Sequence, residues 1–262
     1  MCIVKRHLMF LLVVTVCAFT VLPRKSDATV VEFQTVMGNF EVNLYDNATP
    51  ATVTNFLNYV QNGAYTDSIF HRSVPGFVIQ GGGISYDAVT PLVAISENAP
   101  VANEPAFANV RGTIAMAKLG EQPDSATSQF FINLDNNSAD LDGQNGGFSV
   151  FGEVVGSGMD VVDAIAALPR YNFGSPTDNL PLRDYVLNDP LDATNLVIVT
   201  AIVVSDTTVD SAAGLNPPAN TASNNTGGSG GGGGTFGGGG GGSFGLLAIF
   251  GLLLVRGARR RN

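Results

Sequence analysis

The segment that decides the fold reads Ile69-Phe70-His71-Arg72-Ser73-Val74-Pro75-Gly76-Phe77-Val78-Ile79-Gln80-Gly81-Gly82-Gly83. It places one arginine among β-branched and aromatic residues, turns at Pro75-Gly76 and ends in a glycine cluster. This pattern predicts a short strand on each side of the turn. If the second strand alternates faces, Phe77 shares a face with Ile79, and Val78 lies on the opposite face. Arginine keeps its charge and is costly to bury without partners. Arg72 is therefore either half-exposed on a strand or part of a functional site.

Further motifs follow this segment in a fixed order. They are Gly112-Thr113-Ile114-Ala115-Met116-Ala117, Asp124-Ser125-Ala126-Thr127-Ser128-Gln129-Phe130-Phe131-Ile132, Leu141-Asp142-Gly143 and Val150-Phe151-Gly152. Together with the first segment they resemble the signature of the cyclophilins, the peptidyl-prolyl cis-trans isomerases. The similarity runs from about Val30 to about Val204. It implies a closed antiparallel barrel of eight strands capped by two helices, and an enzyme that accelerates rotation about X-Pro bonds.

The resemblance also implies which residues form the site. Arg72 would donate a hydrogen bond to the prolyl nitrogen, Gln80 would hold Arg72 in position, and Gln129 would bind the peptide. With Phe77 these make up the expected catalytic set. The expected substrate-binding residues line an apolar socket and its rim, with Met116 beneath the proline ring; they are Val78, Met116, Ala117, Lys118, Phe131, Leu141 and Phe148. Phe130 is interpreted as core, and no cofactor or metal is expected.

Some positions separate this chain from the eukaryotic members of the family. Ala117-Lys118-Leu119 stands where they carry Ala-Asn-Ala, and Asp140 stands where they carry tryptophan. Asn103-Glu104 resembles a feature of the bacterial members instead. We expect isomerase activity to survive these changes, which bear on the site rim and on cyclosporin binding.

Strand-like patterns cover much of the chain between residues 29 and 205. Alternating or apolar runs predict strands at 29–36, 40–45, 113–118, 129–134, 148–155 and 196–204, the last of them fully buried. Because these strands outnumber the helices, the pattern indicates a mainly β fold, either all-β or α+β.

Two helices are predicted between the strands. The first has Thr49 as its N-cap, Pro50 at its first position and Gly63 at its end. The second covers 159–168 and is stopped by Pro169. Residues 84–110 are interpreted as a long surface loop, and 135–147 as a polar turn region.

The first 28 residues have the layout of a secretory signal peptide. A basic start is followed by the apolar run 8–22 and by small residues for cleavage at Ser26-Asp27-Ala28. The alternative is an uncleaved membrane anchor. Cys2 and Cys17 are the only cysteines, so a mature protein without this segment would have no disulfide and no cysteine metal site. His71 would be its single histidine, which argues against zinc.

The C-terminal part reads as a linker followed by a sorting tail. Residues 206–243 are rich in Gly, Ser and Asn and predict a disordered linker. Residues 244–262 comprise the apolar run Phe244–Val255 and a terminal arginine cluster, which together predict a short transmembrane segment with a cytoplasmic C-terminus. This tail resembles the bacterial GlyGly-CTERM sorting tails, which a rhomboid-type protease would remove. The alternative is a permanent single-span anchor.

Charge narrows the possible functions. Of the 22 acidic residues only Asp27 lies in the two end segments, whereas eight of the 13 basic residues do, so residues 29–243 carry a net charge of about −16. Such a surface repels nucleic acid and anionic lipid. The resemblance and the signal-peptide pattern together imply an exported isomerase, which we expect to be monomeric and to act on proline-containing polypeptides in the periplasm or at the outer cell surface. The alternative is a non-catalytic module that binds proline peptides while tethered at the membrane. A hydrolase using His71 is rejected because no nucleophile is positioned for it.

Overall fold

The computed structural model describes residues 29–89, 92–206 and 215–222. In these ranges the fold is mainly β. The strands are β1 (Val30–Thr35), β2 (Gly38–Leu44), β3 (Ser68–Ile69), β4 (Arg72–Val74), β5 (Val78–Gly81), β6 (Ile84–Ser85), β7 (Val93–Ala94), β8 (Thr113–Met116), β9 (Phe130–Asn133), β10 (Val150–Val155), β11 (Arg170–Tyr171), β12 (Leu180–Pro181) and β13 (Ile198–Asp206). The helices are α1 (Pro50–Gln61), α2 (Ser138–Leu141) and α3 (Gly158–Ala166), with a 3-10 turn at Gln144–Gly146.

Eleven of these strands form one curled antiparallel sheet. Its order is β4-β5-β9-β8-β10-β2-β1-β13-β3-β6-β7, and β11 pairs separately with β12. Only Phe70 and His71 separate β3 from β4 along the chain, although many strands separate them in the sheet. The single segment 68–74 therefore pairs with β13 at its start and with β5 at its end. A sheet can satisfy both pairings only if it curls strongly.

The main core lies on one face of this sheet. Ile79, Ile132 and Ile114 face one another in register across β5, β9 and β8, and all three belong to this core. Aromatic rings fill its centre, where Phe33 and Phe130 meet edge to face with centroids 5.6 Å apart. Both longer helices contribute apolar side chains to the same core. Burial of this many large side chains lets the domain fold without disulfides.

Helix α1 begins at Pro50, as predicted, but its N-terminal amides are not bound by the expected side chain. Thr49 occupies the N-cap position, yet its hydroxyl donates to the carbonyl of Tyr45 at 3.3 Å. The carboxylate of Glu104 accepts instead from the backbone N–H of Thr52 at 2.8 Å and from its hydroxyl at 2.7 Å. An acid from a distant loop thus satisfies donors that a helix start leaves unpaired.

Other elements depart from the predicted pattern in smaller ways. The last strand, β13, is not fully buried, because Val203 and Val204 are each 39% exposed near its end. The predicted surface loop 84–110 contains the short strands β6 and β7, and the polar region 135–147 contains α2 and the 3-10 turn. Helix α3 lies where the second helix was predicted.

The C-terminal region is described only in part. Residues 215–222 lie in the range predicted as a disordered linker, but they pack against the domain through backbone hydrogen bonds to residues 106 and 108. The predicted signal peptide, the rest of the linker and the sorting tail lie outside the described residues. Within the described ranges, no helix has the length and apolar character needed to span a membrane.

Candidate active site

A row of three polar side chains lies across neighbouring strands. Arg72 on β4 faces Gln80 on β5, and Gln80 faces Phe131 on β9. The Arg72 Nη1 donates to Gln80 Oε1 at 3.3 Å, and Gln80 Nε2 donates to Gln129 Oε1 at 2.9 Å. The structure thus brings together three of the four residues predicted as catalytic.

Arg72 is buried but retains donors for another partner. Arg72 is only 6% exposed. Burial lowers the pKa of its guanidinium, whereas the nearby Asp178 raises it. Because a guanidinium stays protonated in proteins, the charge remains. The bond to Gln80 is the one hydrogen bond that the guanidinium makes to residues in the described ranges. Its other N–H groups are available to a ligand.

The glycine cluster explains how Gln129 can lie so close to β5. A Cβ on Gly83 would stand 2.8 Å from the Cδ of Gln129. Gly82 has a φ of +75°, and a Cβ there would stand 2.6 Å from the carbonyl oxygen of Ser128. A side chain at Gly82 would collide with the Ser128 backbone, and one at Gly83 would displace the Gln129 side chain. The glycines are therefore part of the site geometry.

An apolar cluster lies beside the polar row on the same face of the sheet. Phe131 and Phe148 meet edge to face in it, with ring centroids 5.7 Å apart. The buried members of this cluster, called the apolar cluster below, are Tyr45, Val78, Ala115, Ala117, Phe131, Leu141, Phe148 and Val150, with Phe77, Phe107 and Leu215 packed against it. It contains most of the residues predicted to bind substrate.

Met116 is not a member of the apolar cluster, and its predicted place beneath the proline ring stays a prediction. It pairs with Phe130 across β8 and β9, and both side chains belong to the main core. Side chains alternate along a strand, so Ala115 and Ala117 occupy the side that faces the apolar cluster. The interpretation of Phe130 as core is confirmed.

The predicted face of Phe77 is wrong. Phe77 packs against the apolar cluster, as Val78 does, whereas Ile79 belongs to the main core. The reason is local: β5 begins only at Val78, so Phe77 lies in the turn and does not follow the alternation.

Lys118 contributes its side chain to the site, whereas the sequence suggested only its main chain. Its Nζ donates to the carbonyls of Asn145, at 2.9 Å, and Gly147. The same ammonium lies 4.8 Å from the ring centroid of Phe148. Burial lowers the pKa of Lys118 to about 8, although Asp124 opposes the shift. Lys118 therefore fixes the loop that carries Phe148.

His71 lies next to Arg72 but is not arranged as a catalytic base. Burial, together with the positive charge of Arg72, lowers the pKa of His71 to about 4. The ring is therefore neutral at physiological pH. Among the described residues, no cluster of three or more His, Cys, Asp or Glu side chains is placed to hold a metal ion.

Comparison with known proteins identifies the family. The family model described as cyclophilin type peptidyl-prolyl cis-trans isomerase/CLD matches residues 30–186, more than half of the chain. The chain belongs to the cyclophilin-type peptidyl-prolyl cis-trans isomerases. The match spans every residue of the polar row.

Curated relatives and solved structures agree with this cyclophilin assignment. A peptidyl-prolyl cis-trans isomerase of Acinetobacter baylyi is 47% identical over 149 residues, covering 56% of this chain and 76% of the relative. The isomerase A of Dickeya dadantii is 42% identical over 178 residues, covering 67% and 90%. A crystal structure of a Cryptosporidium parvum cyclophilin with the dipeptide Ala-Pro aligns with a TM-score of 0.51 at 23% identity, over 68% of this chain and 99% of that one. This last likeness supports the fold alone.

Proposed function

We propose that the polar row of Arg72, Gln80 and Gln129, with the apolar cluster beside it, is the site where this cyclophilin isomerises X-Pro bonds. The proposal rests on the burial and the hydrogen bonding of Arg72. It is a buried cation whose guanidinium is bonded to Gln80 and still has donors available. Phe131 lies two strand spacings from Arg72, about 10 Å between backbones. A proline ring resting on Phe131 would place its nitrogen within reach of the guanidinium.

The chemistry follows from the electronic structure of the amide. Resonance sets a rotation barrier of about 20 kcal/mol, so uncatalysed isomerisation takes tens of seconds or longer. Twisting the bond localises the lone pair on the prolyl nitrogen. A donor aimed at that nitrogen binds the twisted state more tightly than either planar state, which lowers the barrier. Arg72 is the proposed donor.

One hydrogen bond does not supply the whole effect. A rate gain of about 10⁵ would need about 7 kcal/mol of differential binding, whereas one charge-assisted hydrogen bond contributes about 1.5–3 kcal/mol. The rest has to come from anchoring the ring on the apolar cluster and from excluding water around the guanidinium. Gln80 contributes by holding Arg72 in one orientation before the substrate arrives.

The strand pairing supports a closed eight-stranded barrel as the frame of this site. Counted as one strand, β3 and β4 pair onward through β5, β9, β8, β10, β2, β1 and β13, which pairs with β3 again. The side chains of α1 and α3 that enter the core support their role as the two caps. Such closure would fix the distance between Arg72 and the apolar cluster.

In the cell, the proposed role is to assist folding of exported proteins by speeding X-Pro isomerisation. The signal-peptide pattern in residues 1–28 supports export, and the acidic body supports a protein substrate over nucleic acid. The other candidate is a module that binds proline segments without turning them over. A protease-coupled assay on a short Ala-Pro peptide separates the two. We expect catalysed isomerisation; a folded protein without measurable rate would leave only the binding module.

The C-terminal tail is proposed to be a transient anchor that a sorting protease removes. The glycine runs before the apolar segment 244–255 support this, because glycine weakens helices by about 1 kcal/mol per residue and helps a segment unwind in a protease. Cleavage would occur between about 237 and 244 and release the enzyme to the periplasm or outer surface. Intact-mass analysis of protein from the native host tests this. A mature chain that still ends at Asn262 would indicate a permanent anchor.

A further inference from the structure

Residues 215–222, called the C-terminal clip below, lie along one of the loops that border the site. The carbonyl of Pro218 accepts from the N–H of Ala108 at 2.8 Å, and the N–H of Asn220 donates to the carbonyl of Ala106 at 2.9 Å. A β-bridge joins Ala219 to Phe107 between these two bonds. At the other end of the clip, Leu215 packs against the apolar cluster. The clip lies outside the region 30–186 that matches the family.

Asn220 attaches the clip to the segment Leu141-Asp142, which borders the apolar cluster and is called the wall below. It is 1% exposed, and its Nδ2 donates to the carbonyl of Asp142 at 3.0 Å. Its Oδ1 accepts from the N–H of Ala222 at 2.9 Å, which fixes the orientation of the amide. Gly147 permits the close approach: its φ is +76°, and a Cβ there would stand 2.8 Å from the Asp142 carbonyl oxygen and 3.1 Å from the Asn220 Nδ2.

A chain of buried amides continues from Asp142 to the other side of the site. Asp142 Oδ1 accepts from the backbone N–H and the Nδ2 of Asn109, at 2.8 and 2.9 Å. Asn133 Nδ2 donates to Asn109 Oδ1 at 3.4 Å, and Asn137 Nδ2 donates to Asn133 Oδ1 at 2.8 Å. The same Asn137 amide donates to the carbonyl of Phe77 at 2.8 Å. Leu141 precedes Asp142 in the chain. The network therefore connects the backbone next to Leu141 with the carbonyl of Phe77, and both of these residues contact the apolar cluster.

We propose that Asn220 is a positioning residue of the isomerase site, through which the C-terminal clip holds the Leu141-Asp142 wall in register with Phe77. The inference rests on the proposed function of the apolar cluster as the proline socket. Neither the clip nor the network bonds to Arg72, Gln80 or Gln129 within the described ranges. The clip therefore acts on the shape of the socket and not on the donor that stabilises the twisted bond.

This separation predicts how an Asn220→Ala variant behaves in the isomerisation assay. In this variant the Asp142 carbonyl loses the hydrogen bond that the Asn220 side chain donates to it. The wall should then be held less firmly, and the proline ring of the substrate should bind less tightly. We expect the KM for an Ala-Pro peptide to rise about fivefold, the effect of one buried hydrogen bond, with kcat within twofold of wild type. Thr221→Ala is the matched control, because Thr221 is the exposed neighbour of Asn220 in the same clip. Its KM should not change.

Asn220→Asp tests the donor separately. It keeps an acceptor for the Ala222 N–H but replaces the donor to Asp142 with a carboxylate, so its KM should rise at least as much as that of Asn220→Ala. Amide exchange measured by NMR gives a readout without substrate: the N–H of Asn109, which donates to Asp142, should exchange faster in both variants than in wild type and Thr221→Ala.

The outcomes distinguish the inference from the function on which it rests. An inactive wild-type protein would overturn the proposed function, and the exchange rates would still test the clip. An active wild type with an unchanged KM in Asn220→Ala would overturn the inference. The inference would also be overturned if kcat of Asn220→Ala fell by the same factor as KM rose and the amides exchanged faster throughout the domain. The clip would then contribute only to stability.

Discussion

His71 and Arg72 are adjacent residues that respond to burial in opposite ways. The imidazole gives up its charge, since burial and the neighbouring guanidinium lower the pKa of His71 to about 4. The guanidinium cannot do so and is held by Gln80 instead. Arg72 therefore gives the site a positive charge that does not titrate at any physiological pH. Isomerisation should not depend on titration of the histidine near neutral pH.

The buried histidine instead makes stability depend on pH. Its pKa falls from 6.5 to about 4 on folding, so between these values the unfolded chain binds a proton that the native protein does not. The free energy of unfolding should therefore decrease through this group as the pH falls from 6.5 to 4, by up to about 3 kcal/mol. His71→Leu removes this contribution. Urea unfolding of both proteins at pH 7 and pH 4 measures it, and equal losses in the two proteins would contradict the shift.

Helix α1 shows that a sequence can predict an element correctly and miss its main support. Glu104 lies in a loop and binds the first turn of the helix, while Thr49, at the N-cap, bonds to Tyr45. Glu104→Ala should lower the free energy of unfolding by about 1–2 kcal/mol, as loss of a helix cap does. Thr49→Val should cost less. Denaturant unfolding compares them, and the reverse order would contradict this assignment.

The successes of the sequence interpretation at this scale come from local signals. Pro50 and the apolar spacing after it predict α1, and the motif from Phe70 to Gly83 predicts the β4 and β5 pair around a turn. A shift of one residue decides which face a side chain takes, and the predicted face of Phe77 is wrong for this reason. Met116 lies on the core side, because the side chains of β8 alternate and Ala115 and Ala117 take the other side.

Contacts between distant segments could not be predicted from the chain. Lys118 bonds to carbonyls 27 and 29 residues away, and Glu104 caps a helix 52 residues away. Asn220 bonds to a carbonyl 78 residues away, from a segment whose composition indicated only a linker. Neither hydrophobic periodicity nor a turn motif predicts hydrogen bonds between residues so far apart in the sequence. They depend on how the curled sheet brings its loops together.

At the scale of the whole molecule, charge is distributed unevenly. Residues 29–205 contain five basic residues, and two of them, Arg72 and Lys118, are buried at the site. The acidic excess is left to act on approaching substrates, and it should favour cationic segments.

This field predicts a preference that salt removes. An Ala-Pro peptide flanked by lysines should show a higher kcat/KM at low ionic strength than one flanked by glutamates. The difference should shrink in about 1 M salt, where the screening length falls to about 3 Å. Coupled assays at both ionic strengths measure it. Equal values at low salt would show that the surface charge does not steer substrates.

The central claim is that Arg72 acts on the twisted prolyl bond, and the activity of an Arg72→Ala variant in the protease-coupled assay tests it most directly. Arg72→Lys is the control that keeps the charge but loses the planar fork, and circular dichroism reports the fold of each protein. Loss of one charge-assisted hydrogen bond of about 1.5–3 kcal/mol should lower kcat/KM at least about tenfold in the alanine variant, with an unchanged spectrum and a smaller loss in the lysine variant. An alanine variant that folds normally and stays within threefold of wild type would contradict the account.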